Sequence, residues 1–80
     1  MRLPRDIGGN ELAALLSRYG YSVTRQTGSH LRLTTRTGGE HHLTIPAHAV
    51  LRIGTLSAIL TEVALHLKEE KSEIIKTLWR

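Results

Sequence analysis

The feature that most constrains the fold is the alternation of apolar and polar residues between positions 21 and 46. It occurs in three short runs, which Thr27-Gly28-Ser29 and Gly38-Gly39 separate from one another. A period of two is typical of strands that bury one face, because successive side chains of a strand point to opposite sides of the sheet. Short glycine-containing turns favour the pairing of consecutive strands. The sequence therefore predicts a three-stranded antiparallel meander that ends at Pro46.

Apolar residues at helical spacing flank the predicted sheet. The segment from Asn10 to Tyr19 is predicted to form an amphipathic helix, with Asn10 or Gly9 as its N-cap and Gly20 as its stop. A second helix is predicted further along the chain, with Thr55 as its cap. The apolar face of this second helix carries Leu56, Ile59, Leu60 and Val63.

The charged segment from Leu67 to Arg80 is amphipathic as well. It either continues the second helix or forms a third helix after a break near His66, and we favour the break. Its role is open between a solvated helix, a contact with a partner protein and a dimer contact.

These elements predict a two-layer architecture. A chain of 80 residues holds one modest hydrophobic core, so residues 1–80 are expected to form a single domain. Helices on one face of an antiparallel sheet give an α+β fold and leave the other sheet face open. In the second strand, Leu31 and Leu33 point to one side, and His30 and Arg32 point to the other. We expect His30 to lie on the open face beside Arg32.

The charge of the chain favours an acidic partner. Eleven Lys and Arg residues against seven Asp and Glu residues give a net charge of +4, which suits phosphate contacts with a polyanion. The chain has no cysteine, in keeping with a reducing compartment. It also lacks an apolar stretch of the roughly 20 residues that span a bilayer and the apolar segment of a secretion signal. A cytoplasmic protein without membrane association is therefore expected.

The five histidines form no recognised metal-binding pattern, so no metal and no cofactor are expected. His41 and His42 are neighbours on a strand and should face opposite sides, one at the surface and the other partly packed. His66, on or after a helix, is interpreted as a solvated or capping residue. For His48, in the loop after Pro46, a structural role and a nucleic-acid contact are both open.

His30 differs from the other histidines because it begins a strand, follows Gly28-Ser29 and lies beside Arg32. A histidine that titrates near neutrality can move the 2′-hydroxyl proton of RNA or protonate the leaving 5′-oxygen, and an arginine can stabilise charge on the phosphate. Spacing alone also allows a plain surface histidine. Gly28 is equally compatible with a turn residue of positive φ.

Longer blocks of the sequence resemble those of the HicA (YcfA-like) mRNA interferase toxins. The segment that carries the signature is Arg25-Gln26-Thr27-Gly28-Ser29-His30-Leu31-Arg32-Leu33. Further similar blocks follow the family order: Leu3-Pro4-Arg5, the helix around Glu11-Leu12, Thr44-Ile45-Pro46-Ala47-His48 and Gly54-Thr55-Leu56-Ser57-Ala58-Ile59-Leu60. The resemblance covers residues 1 to about 65, and the segment 67–80 extends beyond this family core.

The resemblance implies a fold like that of a double-stranded-RNA-binding domain, with the order α-β-β-β-α and here an additional C-terminal helix. It also implies an endoribonuclease that cleaves mRNA and inhibits translation, and a HicB-type antitoxin that neutralises it. By position, the catalytic histidine is His30. Arg25, Ser29, Arg32 and His48 are the candidate RNA-binding residues around it. Whether the free toxin is a monomer is left open.

Two other functions are compatible with the same sequence. In a non-catalytic RNA-binding module, the basic residues would grip phosphate and His30 would only donate a hydrogen bond to the RNA. A protein-interaction adaptor would instead work through the charged C-terminal helix.

Overall fold

The computed structural model describes residues 3–80, so residues 1 and 2 of the predicted domain lie outside the described residues. The chain is an α+β protein of the predicted order α-β-β-β-α with an additional C-terminal helix. Its elements are α1 (Gly9–Leu16), a 3₁₀ turn (Ser17–Tyr19), β1 (Ser22–Thr27), β2 (His30–Thr35), β3 (His41–Pro46), α2 (Ile53–Leu67) and α3 (Lys71–Leu78).

Strands β1, β2 and β3 form the predicted antiparallel meander, with β2 in the centre. Thr27 pairs with His30, so Gly28 and Ser29 form a two-residue turn. Positive φ values occur at Gly38 and Gly39, in the connection to β3, but not at Gly28. Gly28 is therefore a turn residue, but without the positive φ that was one of its two possible interpretations.

The sheet is covered by helices on one face. The inward side chains of β2 and β3, Leu31, Leu33, Leu43 and Ile45, are all buried in one cluster with apolar residues of the helices. On the other side of the same strands, His30, Arg32, His42 and Thr44 are exposed. The structure thus confirms the open sheet face and places His30 and Arg32 on it.

The start of α1 depends on a close approach to the chain that leaves β3. The helix begins at Gly9 with Gly8 as its N-cap, one residue ahead of the predicted segment. The Gly9 N–H donates to the His48 carbonyl (2.9 Å). A Cβ on Gly9 would overlap the Pro46 carbonyl oxygen, so only glycine fits here. At the other end, Gly20 adopts φ of 82° and ends the 3₁₀ turn, as expected.

Helix α2 begins two residues before the predicted cap. Ile53 is its first residue and Arg52 its N-cap, and no side chain caps it. Thr55 as N-cap was therefore wrong. The preceding residue, Leu51, is buried and its N–H donates to the Ile7 carbonyl (2.7 Å). The hydrogen bond from Leu51 to Ile7 fixes the chain just before the helix. The helix therefore starts before Thr55, the residue that the sequence pattern indicated as its cap.

The predicted break after α2 is present. Leu67 is the last residue of the helix, Lys68 adopts a left-handed φ of 57°, and α3 follows. The apolar side of α3, Ile74, Ile75 and Leu78, is buried in the same core as α1 and α2. The Arg18 guanidinium donates to the Thr77 carbonyl (2.7 Å) and holds the end of α3. The C-terminal extension is thus a packed helix rather than a solvated one.

The packing of α3 makes a test of its contribution to stability possible. Ile74 is fully buried, whereas Leu65 on α2 is 75% exposed. We expect Ile74→Ala to lower the free energy of unfolding by about 2–5 kcal/mol, because it leaves a cavity in the core. Leu65→Ala is the matched control and should change it by less than about 0.5 kcal/mol. Urea unfolding measures both, and equal effects of the two substitutions would contradict a buried α3.

Candidate functional site

His30 lies at the end of the open face where β2 begins. It pairs with Thr27 of β1 and with Pro46 of β3. Its side chain is exposed, and its Nδ1 atom lies 2.9 Å from the Ser29 hydroxyl. This contact occupies Nδ1 and turns the other ring nitrogen, Nε2, away from Ser29. The histidine is therefore held in place on one side and available to a ligand on the other.

His30 forms part of a shallow depression of about 290 Å³ on the open face. The described residues that line it are Arg25, Thr27, His30, Arg32 and Thr44. The residues that line it carry polar or charged groups and come from all three strands. It brings the imidazole together with two guanidinium groups.

A β-bulge brings Arg25 to this face. Strict alternation along β1 would place Arg25 on the same side as Tyr21 and Val23. The pairing register instead shifts between Val23 and Arg25, so Val23 pairs with Leu33 but Arg25 pairs with Arg32. An extra residue in one strand moves the following side chains to the opposite face. The bulge thus supplies the second arginine of the site, and nothing in the local alternation predicts it.

The pairing of Arg25 with Arg32 places two like charges opposite each other on neighbouring strands. Such pairs destabilise a sheet, because the charges repel at short distance. Both side chains are exposed, and within residues 3–80 no carboxylate lies within 4 Å of either guanidinium. The arrangement is suited to an anion, which would relieve the repulsion and accept hydrogen bonds from both arginines.

The structure brings together four of the five residues singled out from the sequence. Ser29 contacts His30, and Arg25 and Arg32 line the depression with it. His48 is exposed and is not among the described lining residues. Its segment does run close to the site, because the Ala47 N–H donates to the Ser29 carbonyl (2.8 Å). An RNA contact by His48 stays a prediction.

A pair of stacked histidines lies at the opposite end of the sheet from His30. The sequence did not indicate this pair. The rings of His41 and His66 are stacked, with centroids 4.4 Å apart and planes at 13°. The Tyr21 hydroxyl lies 2.8 Å from His41 Nδ1. His66 Nε2 lies 2.9 Å from the Thr37 carbonyl oxygen and 3.1 Å from that of Gly39. His66 thus ties α2 to the β2–β3 connection, and does not act as a solvated or capping residue.

The surroundings of His41 favour its neutral form. Burial lowers the pKa of His41, the charges of His66 and His42 lower it further, and Glu62, 3.6 Å from Nε2, opposes them. Burial, followed by the charge of Glu62, raises the pKa of Tyr21 to about 12. As predicted, His41 is partly packed, while its neighbour His42 is exposed and contacts Glu40.

In residues 3–80, no three His, Cys, Asp or Glu side chains come together in a way that could hold a metal ion. Over the same residues, no helix has the length and apolar character needed to cross a membrane.

The fold and the site define a class of protein: a small two-layer α+β fold that presents a histidine and two arginines without carboxylate partners on an open sheet face. The chain belongs to the HicA toxin family of bacterial toxin-antitoxin systems, whose family model matches residues 9–65. The match extends from the start of α1 to the last turns of α2 and includes the whole sheet, while α3 lies beyond it. No individual curated protein and no solved structure matches the chain.

The lowered pKa of His41 predicts how stability depends on pH. In the unfolded chain its pKa returns to the ordinary value of 6.5, so the unfolded state binds the proton first as pH falls. The stability contributed by neutral His41 is present above this value and is lost below it. The free energy of unfolding, measured with urea, should therefore decline as the pH is lowered from about 8 to about 5. The decline should be smaller in His41→Gln than in the wild type.

His42→Gln is the control for this experiment, because it removes the exposed neighbour on the other side of β3. It should retain most of the pH dependence of the wild type, because His42 is the smallest of the influences on the pKa of His41. If His41→Gln declines as steeply as the wild type, the stacked pair does not contribute to the acid sensitivity.

Proposed function

We propose that this HicA-family protein is an mRNA interferase, an endoribonuclease that cleaves RNA by metal-independent acid/base chemistry at His30 and thereby inhibits translation. The observation that supports it most directly is the depression in which exposed His30 lies with Arg25 and Arg32. A base and two cations around one position are the groups that transesterification of an RNA phosphodiester requires.

The proposed reaction begins at Nε2 of His30. The mechanism uses the tautomer in which Nδ1–H donates to the Ser29 hydroxyl, 2.9 Å away, because this tautomer leaves the lone pair on Nε2. Nε2 takes the proton of the 2′-hydroxyl, the 2′-oxygen attacks the adjacent phosphorus, and the bond from phosphorus to the 5′-oxygen breaks. The leaving oxygen receives a proton from the imidazolium or from water. The products are a 2′,3′-cyclic phosphate and a 5′-hydroxyl.

The neighbouring residues have distinct proposed roles. Ser29 is a positioning residue, because its hydroxyl holds the ring and continues to accept from Nδ1–H when the ring is charged. Arg25 and Arg32 bind the non-bridging oxygens of the phosphate and stabilise the charge that develops on them. His48 is placed in the same proposal as an outer RNA contact, since its segment borders Ser29.

The proposal extends to the domain and its partners. We propose that residues 1–80 form one toxin domain, because α3 shares the core of the family-matched region. Members of this family are toxins of toxin-antitoxin systems, and we propose a HicB-type antitoxin that covers the His30 face. The proposed site of action is the cytoplasm, where mRNA is available.

The main prediction concerns His30. His30→Ala should reduce RNA cleavage at least about 100-fold, because a general acid/base contributes on the order of 10² to 10⁴ in rate. Thermal unfolding should be unchanged, since the side chain is exposed. Cleavage of a labelled RNA by the purified protein is the measurement, and growth arrest on expression provides a second one.

His42→Ala is the matched control, because it removes another exposed histidine from the same sheet face. It should retain most of the cleavage activity. If His30→Ala cleaves RNA at the wild-type rate, His30 is not the catalyst. If the wild type binds RNA without cleaving it, the non-catalytic RNA-binding module is the better description.

The proposed chemistry also predicts the response to chelation. Cleavage should persist in excess EDTA, because proton transfer by His30 and the charges of two arginines supply the required groups. The measurement is the cleavage rate before and after chelation. A loss that one divalent cation specifically restores would contradict the metal-independent mechanism.

A further inference from the structure

The open sheet face continues beyond the His30 site into a second depression. This depression has a volume of about 590 Å³ and lies at the end of the face away from His30. The described residues lining it are Gly20, Ser22, Thr24, Thr34, Arg36 and Thr37, and we refer to it as the hydroxyl groove. None of these residues takes part in the cleavage mechanism proposed above.

The hydroxyl groove and the His30 depression are neighbours on the open face. Thr24, at the β-bulge, and Thr34 of β2 share a hydrogen bond between their hydroxyls (2.9 Å). The Thr24 hydroxyl also lies 3.3 Å from the carbonyl oxygen of Arg32, whose side chain lines the His30 depression. At the bulge that brings Arg25 to the open face, Thr24 thus links the lining of the groove to the backbone of Arg32.

The groove offers hydroxyl groups and one cation. Arg36 is exposed, and within residues 3–80 no carboxylate lies within 4 Å of its guanidinium. Basic residues of the helical layer are engaged instead: Arg18 binds the Thr77 carbonyl, and Lys71 binds the Ser57 and Thr61 hydroxyls. The charge of Arg36 is thus available to an anionic ligand.

The chemistry of the lining favours a sugar–phosphate backbone. Hydroxyls both donate and accept, which suits phosphate oxygens and ribose 2′-hydroxyls. None of the described lining residues is aromatic, so the groove lacks the platforms on which proteins stack bases. It also lacks the large apolar anchors that usually occupy the centre of a protein-docking site.

We propose that the hydroxyl groove is a second subsite for the RNA strand that is cleaved at His30, and that it holds the backbone of nucleotides several positions away. This inference rests on the proposed function. Six residues separate His30 from Arg36, roughly 20 Å along an extended strand at about 3.3 Å per residue. An RNA that reaches across this distance binds more tightly than a shorter one. The additional affinity of the longer RNA comes from contacts with its sugar–phosphate backbone. Removal of the bases that lie over the groove should therefore leave this additional affinity unchanged.

RNA binding in the His30→Ala background tests the proposal without cleavage of the probe. Fluorescence anisotropy compares a dinucleotide with single-stranded oligonucleotides of increasing length. In the parent, affinity should rise as the oligonucleotide becomes longer. Introducing Arg36→Gln should make this rise about tenfold smaller, which is the effect of losing one hydrogen bond to a charged group. It should also flatten the slope of log affinity against log salt by about 0.7, since one phosphate contact to a single strand is removed.

Lys76→Gln is the charge-matched control, because it removes one positive charge from α3 in the helical layer. It should leave both the length dependence and the salt slope as they are in the parent. If Arg36→Gln behaves like Lys76→Gln, the groove is not an RNA subsite. If Arg36→Gln weakens binding of the antitoxin but not of RNA, the groove is a protein contact and the proposal is wrong.

The same measurements separate this proposal from the proposed function. If the wild type fails to cleave RNA while Arg36→Gln still reduces the gain on lengthening, the nuclease function is wrong and the subsite stands. If cleavage depends on His30 but affinity does not rise with RNA length, the nuclease function stands and the subsite is wrong.

Discussion

The fold depends on packing a three-stranded sheet against helices on one side only. Burial of a Leu or Ile side chain stabilises a protein by about 1.5–3 kcal/mol, and β2 and β3 each contribute two such residues to the core. A chain of 80 residues has too little apolar material to cover the second face as well. The open face follows from this limit, and every residue of the candidate site lies on it or at its edge.

The position of a histidine in this architecture determines what it does. His41 and His66 lie on the helical side at one end of the sheet, where stacking and hydrogen bonds join α2 to the β2–β3 connection. His30 lies on the open side at the other end, where the Ser29 hydroxyl contacts its ring. The first pair packs and bonds within the fold, and burial lowers the pKa of His41. The side chain of His30 is exposed on the open face, where a ligand can reach it.

The sequence predicted the features that depend on local pattern, and it missed those that depend on contacts between distant residues. Periodicity located the helices, the strands and the shared face of His30 and Arg32. The start of α2 was misplaced because Leu51 is fixed by Ile7, more than forty positions away in the chain. The bonds of His66 to Thr37 and Gly39 have no local signal for the same reason.

The β-bulge in β1 links the stability of the sheet to the proposed function. Without the extra residue, β1 would continue its alternation and Arg25 would point away from Arg32. With it, two guanidinium groups lie opposite each other, an arrangement that costs stability in the free protein. A phosphate offsets this cost, and so does a carboxylate of an antitoxin. Under the proposed function, an RNA phosphate and an antitoxin carboxylate would occupy the same place between Arg25 and Arg32, and the two ligands would therefore compete.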